Sequence, residues 1–167
     1  MKNLTDDQKV KYTFLDIDDQ LITDLINEIV EIGDQENNTS VIQGTATGYF
    51  SEGKCLSIFE KEIKTKLPIE IVKFVHIWSH ILQGNDHVVP HNHLGMPDPE
   101  NFLAFVFYLS APEGAGELYF PAYDLELKPK NKMFVCFDMD VVHEVLPNHD
   151  PNILRISTAG NLRIFKN

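Results

Sequence analysis

The chain has 167 residues, 43% of them hydrophobic, enough for one domain with a real core but too little for an eightfold strand–helix barrel of about 250 residues. With 25 acidic and 14 basic residues the formal net charge is −11, which argues against nucleic acid or anionic lipid as a general partner. Two well-separated cysteines, Cys55 and Cys136, a mostly polar stretch from Met1 to Asp7, and no apolar run near the ~20 residues of a membrane span are read as a reduced, cytoplasmic protein without a membrane segment.

An extended stretch, Tyr12–Ile17, comes first. Asp18 then offers an N-cap to a helix whose apolar positions Leu21, Ile22, Leu25, Ile26, Ile29 and Val30 share one face, with Gly33 as its stop. Gly33–Gly48 is rich in Asn, Thr and Gly and reads as a polar loop. A second helix starts near Cys55, carries Leu56, Phe59 and Ile63 on one face, and is closed by Pro68. The period then changes from helical to two, giving strand-like runs at Ile71–Leu82, Phe102–Ser110, Glu117–Phe120, Lys132–Phe137 and Ile153–Ile164. The fold class expected is α+β, mainly β, with helices first and an antiparallel sheet system after them.

Five of the seven histidines fall between His76 and His93. On an extended segment His91 and His93 point to one face about 6.6 Å apart, so both imidazoles can converge on one metal with bonds of about 2 Å. Two solvated loop histidines would give the same pattern. His143 follows the apolar run Met133–Phe137 and supplies a third candidate ligand. Farther on, alternation puts Arg155, Ser157, Ala159 and Asn161 on one strand face, with Leu154, Ile156 and Thr158 on the other. An arginine between Ile and Leu in such a run is rarely buried without an anion, and its planar fork beside the Ser157 hydroxyl suits a carboxylate. A surface arginine paired with one of the many acids is the alternative.

The run from Trp78 through Pro90-His91-Asn92-His93, then Phe102–Pro112, Gly116–Phe120, His143–Pro147 and Arg155-Ile156-Ser157 to Asn161, resembles the Fe(II)/2-oxoglutarate-dependent oxygenases in order and spacing over about residues 70 to 165. The resemblance implies a double-stranded β-helix, or jelly roll, with the N-terminal helices packed on its sheet. Residues 1–167 would then form a single domain, helical to about residue 68 and barrel from about 69 to 165. It implies Fe(II) held by His91, His93 and His143, with 2-oxoglutarate as cosubstrate and O2 as oxidant. Arg155 and Ser157 would bind the far carboxylate of 2-oxoglutarate, and Tyr108 would hydrogen-bond it. His80 stands where close relatives are expected to have asparagine, on a strand face shared with His76 and Trp78. The implied reaction is hydroxylation of a C–H bond in a peptide, amino acid or other small molecule, with release of succinate and CO2.

Two departures stand out. The usual facial triad has one carboxylate where this chain reads His93, so either three histidines bind the metal or a carboxylate from the Leu94–Asn101 loop, Asp98 or Glu100, completes the set. Lys130-Asn131-Lys132 replaces an expected glycine turn. The rival readings are a three-histidine cupin without a 2-oxoacid and a metal-free binding module on the same fold. A cupin would have a glycine shortly before its last histidine, where Asp138, Met139 and Asp140 stand here, and has no use for Arg155 and Ser157. The aromatic residues Phe102, Phe105, Phe107, Phe120, Phe134 and Phe137 read as core, as does Trp78. The loops Gly33–Gly48 and Leu94–Asn101 are expected to border the metal mouth and select the substrate.

Overall fold

The computed structural model describes residues 1–32, 42–47 and 53–165. Strands β1 (Lys2–Asn3) and β2 (Val10–Phe14) precede helix α1 (Asp19–Ile32), followed by β3 (Ile42–Gln43), β4 (Thr45–Ala46) and helix α2 (Lys54–Lys66). Then come β5 (Ile71–Gln83), β6 (His87–His91), β7 (Phe102–Ser110), β8 (Leu118–Phe120), β9 (Leu125–Leu127), β10 (Met133–Asp138), β11 (His143–Val145) and β12 (Leu154–Ile164).

The helices begin where the sequence chemistry places them. The Asp18 carboxylate accepts the N–H groups of Gln20 at 2.9 Å and Leu21 at 3.1 Å, satisfying two of the free donors at the start of α1. The start of α2 is served from a distance instead: Glu28 of α1 accepts from Leu56 N–H at 3.1 Å and Cys55 N–H at 3.4 Å. Ile22, Leu25 and Ile29 of α1 and Leu56, Phe59 and Ile63 of α2 form the buried faces. Among the described residues no helix is long and apolar enough to cross a membrane.

All strand pairings are antiparallel. They build a seven-stranded sheet in the order β1-β2-β10-β7-β12-β5-β4 and a five-stranded sheet in the order β3-β6-β11-β8-β9, a double-stranded β-helix. The central strands β10, β7 and β12 of the larger sheet are buried on both faces, which is why β7 reads as an unbroken apolar run. Phe105, Phe107 and Leu109 of β7 pack beneath the helices, while Ala104, Val106 and Tyr108 face the smaller sheet. In β12, Ile156 and Leu162 take the helix side and Ala159 the inner side.

Several short strands were not legible as runs. Strands β6, β9 and β11 are three to five residues long and carry His, Pro, Glu and Lys-flanked positions that hide any alternation. Part of the expected Gly33–Gly48 loop is also strand: β3 pairs with β6 and β4 with β5. Residues 33–41 and Gly48, including the expected helix stop at Gly33, lie outside the described residues. The N-terminal part is not helical throughout, because β2 pairs with β10 along its full length. A bulge in β5 changes its phase: Ala159 pairs with Trp78 but Asn161 with Val75, so His76 and Ile77 together oppose Gly160. His76 takes φ +52° and is exposed, and thus leaves the inner face it was expected to share with Trp78 and His80.

Candidate metal centre

His91 ends β6, His143 begins β11, and the two are direct cross-strand partners. His93 lies past the end of β6, so the pair does not sit on one continuous strand as the spacing suggested. Its backbone N–H donates instead to the Met139 carbonyl at 2.9 Å, which turns the chain and returns the third ring to the first two. Ring centroids are 4.2 Å apart for His91 and His143, 5.4 Å for His91 and His93, and 5.2 Å for His93 and His143. One nitrogen from each ring lies within 4.8 Å of the other two.

Hydrogen bonds decide which nitrogen is free. Nδ1 of His91 meets the Val89 carbonyl at 2.9 Å, Nδ1 of His143 the Val141 carbonyl at 3.1 Å, and Nδ1 of His93 the Asn161 side-chain oxygen at 2.7 Å. A carbonyl oxygen has no proton to give, so each Nδ1 donates and each Nε2 keeps its lone pair. Burial pushes the pKa of all three histidines down, most strongly at His143, where His91 and His93 add to the effect. Three neutral imidazoles with free Nε2 atoms suit a borderline divalent cation. Among the described residues the cluster includes neither Asp98 nor Glu100. Glu100 lines a separate cleft of about 240 Å3 with Leu94, Phe102 and Met139.

The second group of predicted residues shares the triad's cavity. Arg155, Ser157 and Tyr108 are 1%, 1% and 0% exposed, on the paired central strands β12 and β7. Arg155 gives one bond, from Nη1 to the Gly116 carbonyl at 2.9 Å. Among the described residues its Nε, the Tyr108 hydroxyl and the Ser157 hydroxyl have no hydrogen-bond partner. Burial lowers the Arg155 pKa and lifts that of Tyr108 to about 12. Buried polar groups are almost always satisfied, so an unpaired guanidinium Nε and two unpaired hydroxyls around one space have the chemistry to receive an anion.

His80 and Trp78 also line this cavity, so Trp78 is part of the site wall and not simply core. Trp78 Nε1–H donates to His80 Nε2 at 2.9 Å. The cavity's free volume is about 20 Å3, room for about one water, so any larger anion must displace lining side chains as it enters. A much larger open groove, about 1260 Å3, runs along Ala111, Glu113, Lys130 and His149 and contains none of the candidate metal or 2-oxoacid residues. What sequence reasoning missed is the role of Asn161. It was placed on the correct face, but its hydrogen bond to His93 spans 68 positions of sequence, which no local pattern announces.

No family model and no curated protein sequence matches this chain. Solved structures do. The viral collagen prolyl hydroxylase of Paramecium bursaria Chlorella virus-1, in its 2-oxoglutarate complex, aligns over 97% of this chain and 100% of its own, with TM-score 0.71 and 17% identity. A Pseudomonas putida prolyl-4-hydroxylase aligns over 95% and 94%, with TM-score 0.68 and 15% identity. The non-haem α-ketoglutarate-dependent epimerase SnoN of nogalamycin biosynthesis aligns over 93% and 76%, with TM-score 0.72 and 8% identity. At these identities the likeness is one of fold, and the fold is that of the 2-oxoglutarate/Fe(II) oxygenases.

Proposed function

We propose that the chain is an Fe(II)- and 2-oxoglutarate-dependent dioxygenase that hydroxylates a C–H bond of a peptide, amino-acid or small-molecule substrate. The observation that carries this reading is the coexistence, in one cavity, of three neutral imidazoles with free Nε2 atoms and three unpartnered buried polar atoms on Arg155, Ser157 and Tyr108. His91, His93 and His143 would hold the iron. Bound there, Fe(II) with 2-oxoglutarate and O2 supplies the oxidising chemistry, yielding succinate, CO2 and a hydroxylated product.

The chain's own residues bind and orient. The Arg155 fork and the Ser157 and Tyr108 hydroxyls would give the far carboxylate of a 2-oxoacid charge and hydrogen bonds, and the carboxylate would pair the Arg155 Nε and the two hydroxyls that have no partner among the described residues. His80, adjoining Arg155, adds a polar wall to the same subsite. The inner faces of Val88, Val106, Leu118 and Phe137 keep water out, which strengthens each of these contacts. A peptide or amino-acid substrate is supported by the prolyl hydroxylases among the structural neighbours, and a small molecule by the epimerase.

The test is turnover. Purified protein supplied with Fe(II), ascorbate, 2-oxoglutarate and a panel of peptides and small metabolites should release succinate in step with a hydroxylated product. Tight metal binding with no measurable 2-oxoglutarate affinity would return the chain to the cupin reading.

A further inference from the structure

The three candidate ligands are not held alike. His91 and His143 each donate Nδ1–H to the main-chain carbonyl two residues earlier, Val89 and Val141, a contact that no side-chain substitution removes. His93 donates to a side chain, Asn161 Oδ1 at 2.7 Å, across 68 positions of sequence. Asn161 is 4% exposed and pairs with Ala104 of β7 on one side and Val75 of β5 on the other, so its backbone is fixed at the centre of the large sheet. Its face follows the period of two along β12, in line with Arg155, Ser157 and Ala159, and Gly160 beside it leaves room for the bulge at His76–Ile77 in the neighbouring β5. A Cβ at Gly160 would lie 2.9 Å from a Phe105 ring carbon and 3.1 Å from the His76 carbonyl oxygen.

From this geometry we infer that Asn161 is the positioning residue that makes His93 a nitrogen ligand. By accepting the Nδ1 proton it fixes the tautomer and ring plane, leaving the Nε2 lone pair directed at the other two rings. The inference rests on the metal reading of His91, His93 and His143. It goes further by naming what selects a histidine at the position where the resemblance expects a carboxylate. An imidazole outside a strand has two tautomers and a free ring rotation, and only one combination presents Nε2 to its neighbours. An amide oxygen in a rigid sheet removes that choice before any metal arrives.

Two measurements test it. Long-range 1H–15N spectra of the metal-free protein at neutral pH should report His93 protonated at Nδ1 alone. Asn161→Leu should convert His93 to a mixture or to the Nε2–H form while His91 and His143 keep their signals. In Co(II) titrations Asn161→Leu should bind about 10- to 100-fold more weakly, the usual loss when an outer partner of a metal-binding histidine is removed. Asn161→Asp retains an acceptor oxygen and should restore wild-type affinity or better. The wild-type spectrum needs no variant, so it decides the matter even where Asn161→Leu fails to fold: His93 carrying its proton on Nε2 overturns the proposal. Unchanged Co(II) affinity and tautomer in Asn161→Leu overturns it too, while leaving the metal site itself intact. A wild-type protein that takes up no Co(II) overturns both this inference and the oxygenase reading.

Discussion

Trp78 Nε1–H donates to His80 Nε2 at 2.9 Å, tying the single tryptophan of the chain to a buried histidine. Burial, then the Arg155 charge, then His91 push the His80 pKa from 6.5 down to about 3. Because the unfolded chain takes up this proton more readily than the folded one, the stability associated with neutral His80 is complete above pH 6.5 and is lost as pH falls towards 3. The slope for one such group is about 1.4 kcal/mol per pH unit. Urea unfolding of the metal-free protein across this range should show His80→Asn less acid-sensitive than wild type by about that slope. Tryptophan fluorescence should follow the same transition, and identical pH profiles for the two proteins would refute the assignment.

Arg155 poses a trade between folding and binding. A fully buried guanidinium with, among the described residues, one neutral hydrogen bond and no counterion carries a large desolvation cost. Arg155→Met should therefore leave the metal-free protein as stable as wild type or more so, by thermal unfolding. The same change should weaken 2-oxoglutarate binding to Co(II)-loaded protein by about 10- to 100-fold, the value of a charge-assisted hydrogen bond of 1.5 to 3 kcal/mol. Ser157→Ala should cost less. Calorimetry separates the two effects, and undiminished 2-oxoglutarate affinity in Arg155→Met would favour the cupin alternative.

Metal uptake should depend unequally on the candidate ligands. His91→Ala and His143→Ala each remove one of two directly paired ligands and should abolish stoichiometric Ni(II) or Co(II) binding. His93→Ala should weaken it severely. Asp98→Ala should leave it unchanged, since Asp98 is not in the cluster. The opposite ranking of His93 and Asp98 would restore a carboxylate to the triad.

Gly116 is predicted to be the least tolerant glycine. A Cβ there would fall 1.8 Å from the Leu146 carbonyl oxygen, and the Gly116 carbonyl is the acceptor that holds Arg155. Gly116→Ala must shift backbone, with an expected loss of about 1–3 kcal/mol or more and reduced 2-oxoglutarate affinity alongside. Gly95, with nothing within 4 Å of its Cβ position, is the control; its alanine variant should stay within about 0.5 kcal/mol of wild type in urea unfolding.

Much of this arrangement is readable from residue patterns because burial imposes them. The long strands β5, β7, β10 and β12 lie close to the runs expected of them, and the inner row Arg155, Ser157, Ala159 appears where a period of two puts it. Capping by Asp18 is equally local. What escapes pattern reading is whatever depends on a phase change or a distant partner. The bulge at His76–Ile77 moves His76 off the inner face, Asn161 meets His93 across 68 positions of sequence, and the turn that brings His93 back depends on Met139, far along the chain. Trp78 read as core because an indole's bulk dominates the sequence signal, whereas its single N–H determines where it sits.

The segment Ile42–Ala46 carries a consequence for behaviour in concentrated solution. Ile42 and Gln43 pair along the outer margin of β6, and Thr45 and Ala46 along that of β5, so these five residues close one margin of each sheet. Gly44 at the crossover leaves no room for a side chain, since a Cβ would meet Leu82 Cδ2 at 2.6 Å. Unpaired margins of this kind are templates for strand addition by other molecules. Losing this short stitch would turn two capped margins into adhesive ones at once, so proteolysis or substitution there should appear first as concentration-dependent aggregation.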